Sequence, residues 1–251
     1  MEGFHAMNLR AFLLSLTAMF CVSASAGQVI EVQVVGLPPY LIVAPDGHFG
    51  GIAVDAAMQA FERAGIAVKL TDIPALRQLE RLKANQEALC SVGWYKTPER
   101  ETFARFSDPI TRDERWAALV APKWKLPPQM TVDALLAQPN LTLLLKQGFS
   151  NGEYLDKKLP VSRSHRVTTT SEMSGIFKMI EAGHGDVFFA PRDEIRYFEG
   201  TGLIDAQKVN IVTFTDLPLG QQRYLMCSKR VGNDILARFN AALRQQGKAS
   251  N

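Results

Sequence analysis

Cys90-Ser91-Val92-Gly93-Trp94-Tyr95-Lys96-Thr97-Pro98-Glu99-Arg100-Glu101 reads as a strand that runs directly into a helix. The strand ends at Tyr95. Thr97 is a favourable N-cap, and Pro98 suits the first helical position, where its missing N–H costs nothing. A helix start at the carboxyl end of a parallel strand is where open α/β sheets hold ligands. Free backbone N–H groups there attract anions, and the helix dipole adds about 0.3–1 kcal/mol per interaction. Arg100, in the first turn, can grip a carboxylate through charge-assisted hydrogen bonds of roughly 1.5–3 kcal/mol each. Pairing with Glu99, Glu101 or Asp108 on the surface is the competing use of that side chain.

On either side, strand and helix patterns alternate. Val29–Val35 is β-branched and ends at Gly36-Leu37-Pro38-Pro39, where paired prolines stop a ladder. Val54, Ala57, Met58 and Phe61 follow helical spacing up to Gly65, Val68–Ile73 alternates as a strand, and Leu76, Leu79 and Leu82 return to the helical period. Trp116–Ala121 is a further strand, and Pro122, Pro127 and Pro128 after it suggest a passage between domains. The rhythm then restarts. Thr131 caps a short helix over 132–136, and 141–145 is a strand. A helix over 171–181, strands at 187–190, 209–214 and 224–227, and a final helix with Leu236, Phe239 and Leu243 complete it. Two α/β units in series are expected. The second repeats the first unit's helix mouth. Lys146-Gln147 ends a strand, Gly148-Phe149 turns, and Ser150-Asn151-Gly152-Glu153 has the form of a capping box.

Composition narrows the function classes. The 251 residues are 47% hydrophobic and 21% charged, ordinary for a chain that buries a core. A net charge of +3, evenly spread, offers no basic face for nucleic acid. His48, His165 and His184 are scattered without metal-ligand spacing, so no metal or cofactor is expected. Arg10, the uncharged run 11–20 and Ala24-Ser25-Ala26 form a secretory signal peptide over 1–26. Its apolar run is shorter than the ~20 residues that span a bilayer, and no later segment is long enough. An exported protein has the oxidising surroundings in which Cys90 and Cys227 can pair. Two buried free thiols are the alternative.

Taken in order, these segments resemble the type II periplasmic solute-binding proteins, the amino-acid-binding family 3 of ABC transport systems. Pro38-Pro39-Tyr40 with Gly51 and Asp55 resembles the family's opening, and Gly93 through Thr97-Pro98-Glu99-Arg100 to Phe106-Ser107-Asp108-Pro109 its most distinctive stretch. Gln147-Gly148 with Ser150 resembles the second-lobe loop, and 183–186 the helix-to-strand passage that follows. The resemblance implies a two-lobed α/β fold, each lobe a mostly parallel sheet flanked by helices, joined by two hinge strands. Lobe 1 would be 27–120 plus 215–251, and lobe 2 would be 121–214. Both cysteine-bearing strands would then lie in lobe 1, which favours the bridge.

The resemblance also implies a site. Arg100 matches the arginine that holds a ligand carboxylate, and Ser150 a second-lobe hydroxyl that does the same. Tyr40, Gly93, Trp94, Tyr95, Thr97, Gly148, Phe149, Asn151 and Arg192 complete the expected ligand-binding set. Three positions depart from the family pattern. Ala190 stands where an aspartate usually meets the ligand ammonium, Leu37 where an aromatic often stacks, and Trp94-Tyr95 where small residues are usual. Asp193 or Glu194 would have to replace that aspartate, because a buried unpaired ammonium is costly. The expected function is a monomeric periplasmic binder of a small carboxylate ligand, amino-acid-like or aromatic. An ABC permease or a membrane sensor would be its partner. The alternative is a lyase on the same scaffold, similar to cyclohexadienyl dehydratases, with Glu153, Glu172, Asp193 or Glu194 as its acid.

Overall fold

The computed structural model describes residues 29–127, 129–205 and 207–249. The expected signal peptide lies outside them. In chain order the first elements are β1 (Ile30–Val34), β2 (Ile42–Val43), β3 (Phe49–Gly50), α1 (Ile52–Arg63), β4 (Val68–Asp72), α2 (Ala75–Ala84), β5 (Leu89–Trp94), α3 (Pro98–Phe103) and β6 (Ala104–Arg112). The chain then builds β7 (Trp116–Val120), β8 (Gln129–Met130), α4 (Val132–Leu136), β9 (Thr142–Lys146), α5 (Glu153–Lys158), β10 (His165–Thr169), α6 (Met173–Glu181), β11 (Val187–Pro191), α7 (Arg192–Gly200) and β12 (Asn210–Phe214). It returns for β13 (Gln222–Ser228) and α8 (Asn233–Ala249).

Two sheets form the two lobes. One has five strands in the order β4-β1-β5-β13-β6, the other six in the order β10-β9-β11-β7-β12-β8. β1 runs parallel to β4 and β5, and β9 parallel to β10 and β11. β13 is antiparallel to β5 and β6, and β7 to β11 and β12. The sheets are therefore mixed rather than mostly parallel. Residues 113–115 link β6 of the first sheet to β7 of the second. A boundary after residue 120 would leave β7 with the first sheet, but its ladders to β11 and β12 put it in the second.

The central strands β5, β7 and β11 are buried at every position, as expected for strands covered on both faces. Phe61 of α1 meets Phe239 of α8 with ring centroids 4.6 Å apart, closing the back of the first sheet. Cys90 and Cys227 are register partners on β5 and β13, and their sulfurs are bonded. One apolar cluster runs from the first sheet to Ile176, Phe188 and Ile195, while Tyr95 packs among second-sheet residues. The lobes thus meet through apolar contact.

β6, β10 and α7 have no counterpart in the sequence reading. β6 (ARFSDPITR) and β10 (HRVTT) are half-polar, and α7 (RDEIRYFEG) shows solvent a charged face. The two strands lack the apolar alternation that marks an element before tertiary packing is known, and α7 carries only the short pair Ile195 and Phe198 at helical spacing.

Candidate functional site

The first wall of the site is the β5–α3 junction. Thr97 is extended and its Oγ1 accepts from the Arg100 N–H at 3.3 Å, with Pro98 opening α3. This cap holds Arg100 turned inward, 7% exposed. Its Nη1 donates to the Tyr95 carbonyl at 2.7 Å and its Nη2 to the Gly148 carbonyl at 3.1 Å, across the lobes. The guanidinium carbon lies 4.7 Å from the Trp94 ring centre, a cation–π distance. A guanidinium has five N–H donors, and these two bonds leave the others uncommitted. Among the described residues no carboxylate lies within ion-pair distance of it. Burial pushes the Arg100 pKa down to about 10, with Asp156 and Glu99 pulling it back, so it is cationic at neutral pH.

Trp94 and Tyr95, successive residues that a strand normally turns to opposite sides, both face the space between the lobes. Gly93 has φ +82, and the β5–β13 register shifts at Tyr224/Leu225; together these break the alternation. A β-carbon on Gly93 would also meet the Leu41 side chain at 3.0 Å. The Trp94 indole N–H donates to Gln78 Oε1 at 2.9 Å, and its ring stacks on Phe149 of the other lobe, centroids 6.2 Å apart.

The second wall is the β9–α5 loop. α5 starts at Glu153 behind Gly152, whose φ is +84 and which supplies no capping side chain. The expected capping box is absent. The Ser150 hydroxyl instead donates to Asp156, which also accepts from the Asn151 N–H at 2.8 Å. Glu153 is exposed and pairs with Lys157. Asp156, one turn further on, organises the loop from inside α5.

Beneath both walls lies a buried charged cluster that sequence reasoning missed. Arg223 on β13 donates through Nε to Asp113 Oδ1 at 2.6 Å, through Nη2 to Asp113 Oδ2 at 3.1 Å, and through Nη1 to the Gly93 carbonyl at 3.1 Å. Its guanidinium carbon sits 3.8 Å from the Tyr40 ring centre. The Tyr95 hydroxyl donates to Asp113, and the Tyr40 hydroxyl to Asp193 across the lobes. Burial pushes the Asp113 carboxyl up, while Arg223 and the Tyr95 hydroxyl pull it back. The available signal was a lone arginine immediately before the apolar run 224–227.

A cavity between the lobes is lined by Gly93, Trp94, Tyr95, Arg100, Phe149, Ser150 and Asn151 from the expected set. Leu37, Leu41, Trp116, Lys146, Phe188, Phe189, Ala190, Glu194 and Arg223 are among the others. Four expected residues are placed differently. Tyr40 lies under Arg223, outside the lining. Thr97 faces a separate outer groove because its hydroxyl is spent on the cap. Gly148 contributes its carbonyl to Arg100 rather than a wall. Arg192 points away and pairs with Glu199 at 3.2 Å, seven residues and about two helical turns along α7.

Of the four candidate acids only Glu194 lines the cavity. Glu172 is exposed and pairs with Lys146 at 3.2 Å, and Asp193 accepts from Tyr40. Glu194 is 4% exposed, and its carboxyl makes no hydrogen bond among the described residues. Burial pushes it up to about 8; Arg223 and Lys146 pull it down, Asp113 and Asp193 push it up. No group of His, Cys, Asp and Glu among the described residues is placed to hold a metal.

Two α/β lobes closed over a cavity, with an arginine at one helix mouth, define a two-lobed solute-binding protein. The chain belongs to the bacterial extracellular solute-binding proteins, family 3, whose model matches residues 30–248. Among curated proteins none matches the chain. Solved structures similar to it include holo arginine-binding protein from T. maritima, at 20% identity over 87% of this chain and 90% of that one, TM-score 0.66. An ancestral amino acid-binding protein, a precursor of cyclohexadienyl dehydratase, has 18% identity over 88% and 90%, TM-score 0.66. A histidine kinase sensor domain with similarity to periplasmic binding proteins has 18% identity over 89% and 92%, TM-score 0.69. At these identities the likeness is one of fold.

Proposed function

We propose that the protein is a periplasmic binder of a small carboxylate-bearing ligand, amino-acid-like or aromatic, held between its lobes for an ABC importer or a membrane sensor. One observation carries this reading. Arg100 is a buried cation on the cavity wall with uncommitted donors and no ion-pair partner among the described residues. A buried charge left unpaired is costly, so an anion that completes it gains more here than at the surface. Trp94 and Phe149 supply aromatic faces beside it. A similar structure that is the substrate binding protein of an amino acid ABC transporter, and another that is a histidine kinase sensor domain, support both partner classes. Export follows from the expected signal peptide over 1–26, and the family's extracellular character agrees with it. We place lobe 1 in the segments that carry β1–β6 and β13–α8, and lobe 2 in β7–β12.

Thermal-shift titration with amino acids, keto acids, aromatic acids, polyamines and small peptides tests the reading. Ligand at 100 times its dissociation constant should stabilise the protein by about 2.7 kcal/mol. Arg100→Ala should abolish the response to carboxylates, and an unchanged response overturns the clamp. A lyase is the second reading, favoured by Glu194, a buried acid that holds its proton near neutral pH and so suits protonation of a leaving group. Product formed from a bound ligand by the wild type, and lost in Glu194→Gln, would establish it.

A further inference from the structure

We infer that the cavity takes an amine-free acid: its carboxylate goes to Arg100, and a second oxygen, of a keto, hydroxyl or further carboxyl group, accepts a hydrogen bond from Glu194. The inference rests on the carboxylate-clamp reading and narrows it to one ligand class.

The donor and acceptor inventory of the wall decides the class. Arg100 keeps donors beyond those bonded to Tyr95 and Gly148. Trp116 also lines the cavity, and its indole N–H is buried without an acceptor. Anionic acceptors are scarce by comparison. Asp113 is held by Arg223 and Tyr95, Asp193 by Tyr40, and Asp156 by Ser150 and Asn151. Ala190 offers no carboxylate, which leaves Glu194 as the sole acidic side chain in the lining. An ammonium carries three donors and no acceptor, so it would enter a wall already rich in donors. Arg100, which has no ion-pair partner among the described residues, lines the same space and repels it, while Arg223 and Lys146 are already matched by Asp113 and Glu172.

Glu194 sits in the first turn of α7 with its carboxyl unpartnered. The charged groups that act on it are Arg223, Lys146, Asp113 and Asp193, and burial outweighs the two cations, so it is protonated at neutral pH. A protonated carboxyl donates one hydrogen bond. A ligand oxygen that accepts this bond keeps the proton in place. Raising the pH through about 8 removes the donor and sets a carboxylate against that oxygen, so affinity should fall.

Matched pairs of acids, phenylpyruvate with phenylalanine and 2-oxoglutarate with glutamate, would be titrated calorimetrically between pH 6 and 9. One keto acid should bind at least about tenfold tighter than its amino counterpart, the scale of one satisfied hydrogen bond, and its affinity should fall above pH 8. Glu194→Gln should flatten that pH profile, while Glu194→Ala should weaken binding below about pH 8 and lose the fall above it. A tighter amino member, or an affinity that rises with pH, overturns the inference while leaving the Arg100 clamp standing. If no acid of either kind binds, or Arg100→Ala binds as the wild type does, the clamp reading falls and the inference falls with it.

Discussion

Asp113 and Arg223 sit at the ends of the two connections between the sheets, and their pair is fully enclosed, with side-chain exposures of 0% and 4%. Removing one member strands the other charge in a dry site, at a cost of about 3–5 kcal/mol, whereas replacing both with apolar groups of similar volume can be neutral. Asp113→Asn should therefore lower unfolding stability by an amount in that range. Asp113→Leu combined with Arg223→Met should recover most of it, both read by urea denaturation. Neither residue was legible in the sequence. Their meaning comes from a contact 110 positions apart, while local chemistry, such as Thr97 before Pro98, was legible because cap and capped group lie three residues apart.

At the level of elements, α3 has only six residues, too few to be stable by itself. Its Thr97 cap therefore matters more than a cap on a long helix. Thr97→Ala should cost about 1 kcal/mol of stability, and it should also weaken carboxylate binding, because the same helix aims Arg100. A matched loss of stability without loss of affinity would show that Arg100 is held by Tyr95 and Gly148 alone. The β9–α5 loop teaches the reverse lesson about reading caps. Ser150 and Glu153 fit the capping-box pattern, yet the left-handed Gly152 starts the helix later and Asp156 captures Ser150. A four-residue pattern could not reveal a partner six residues on. The half-polar β6 and β10 were illegible for a similar reason, since their neighbours alone make them strands.

At the scale of the whole molecule, the alternation of strands and helices carried the two-lobed architecture, and the order of family-like segments carried its topology. What neither carried was how tightly the lobes close. Gly148 of the second lobe has φ +79, and a β-carbon there would lie 2.6 Å from Leu76 Cδ2 and 3.6 Å from Leu79 Cδ1 on α2. Gly148→Ala should hold the lobes apart, raising the radius of gyration in solution scattering and lowering ligand affinity. Adding Leu76→Ala should return part of both by removing the clash, leaving the backbone strain.

The Cys90–Cys227 linkage joins residues 137 positions apart, and the entire six-stranded sheet lies between them. Residues 90–227 therefore close a covalent ring, with the second lobe as part of it and β5 and β13 as its clasp. A protease that nicks the tip at Val161, 82% exposed, would leave both pieces fastened. The nicked protein should migrate as one species on a non-reducing gel and fall into two fragments only after thiol is added. Fragments that part without thiol would show the clasp is open.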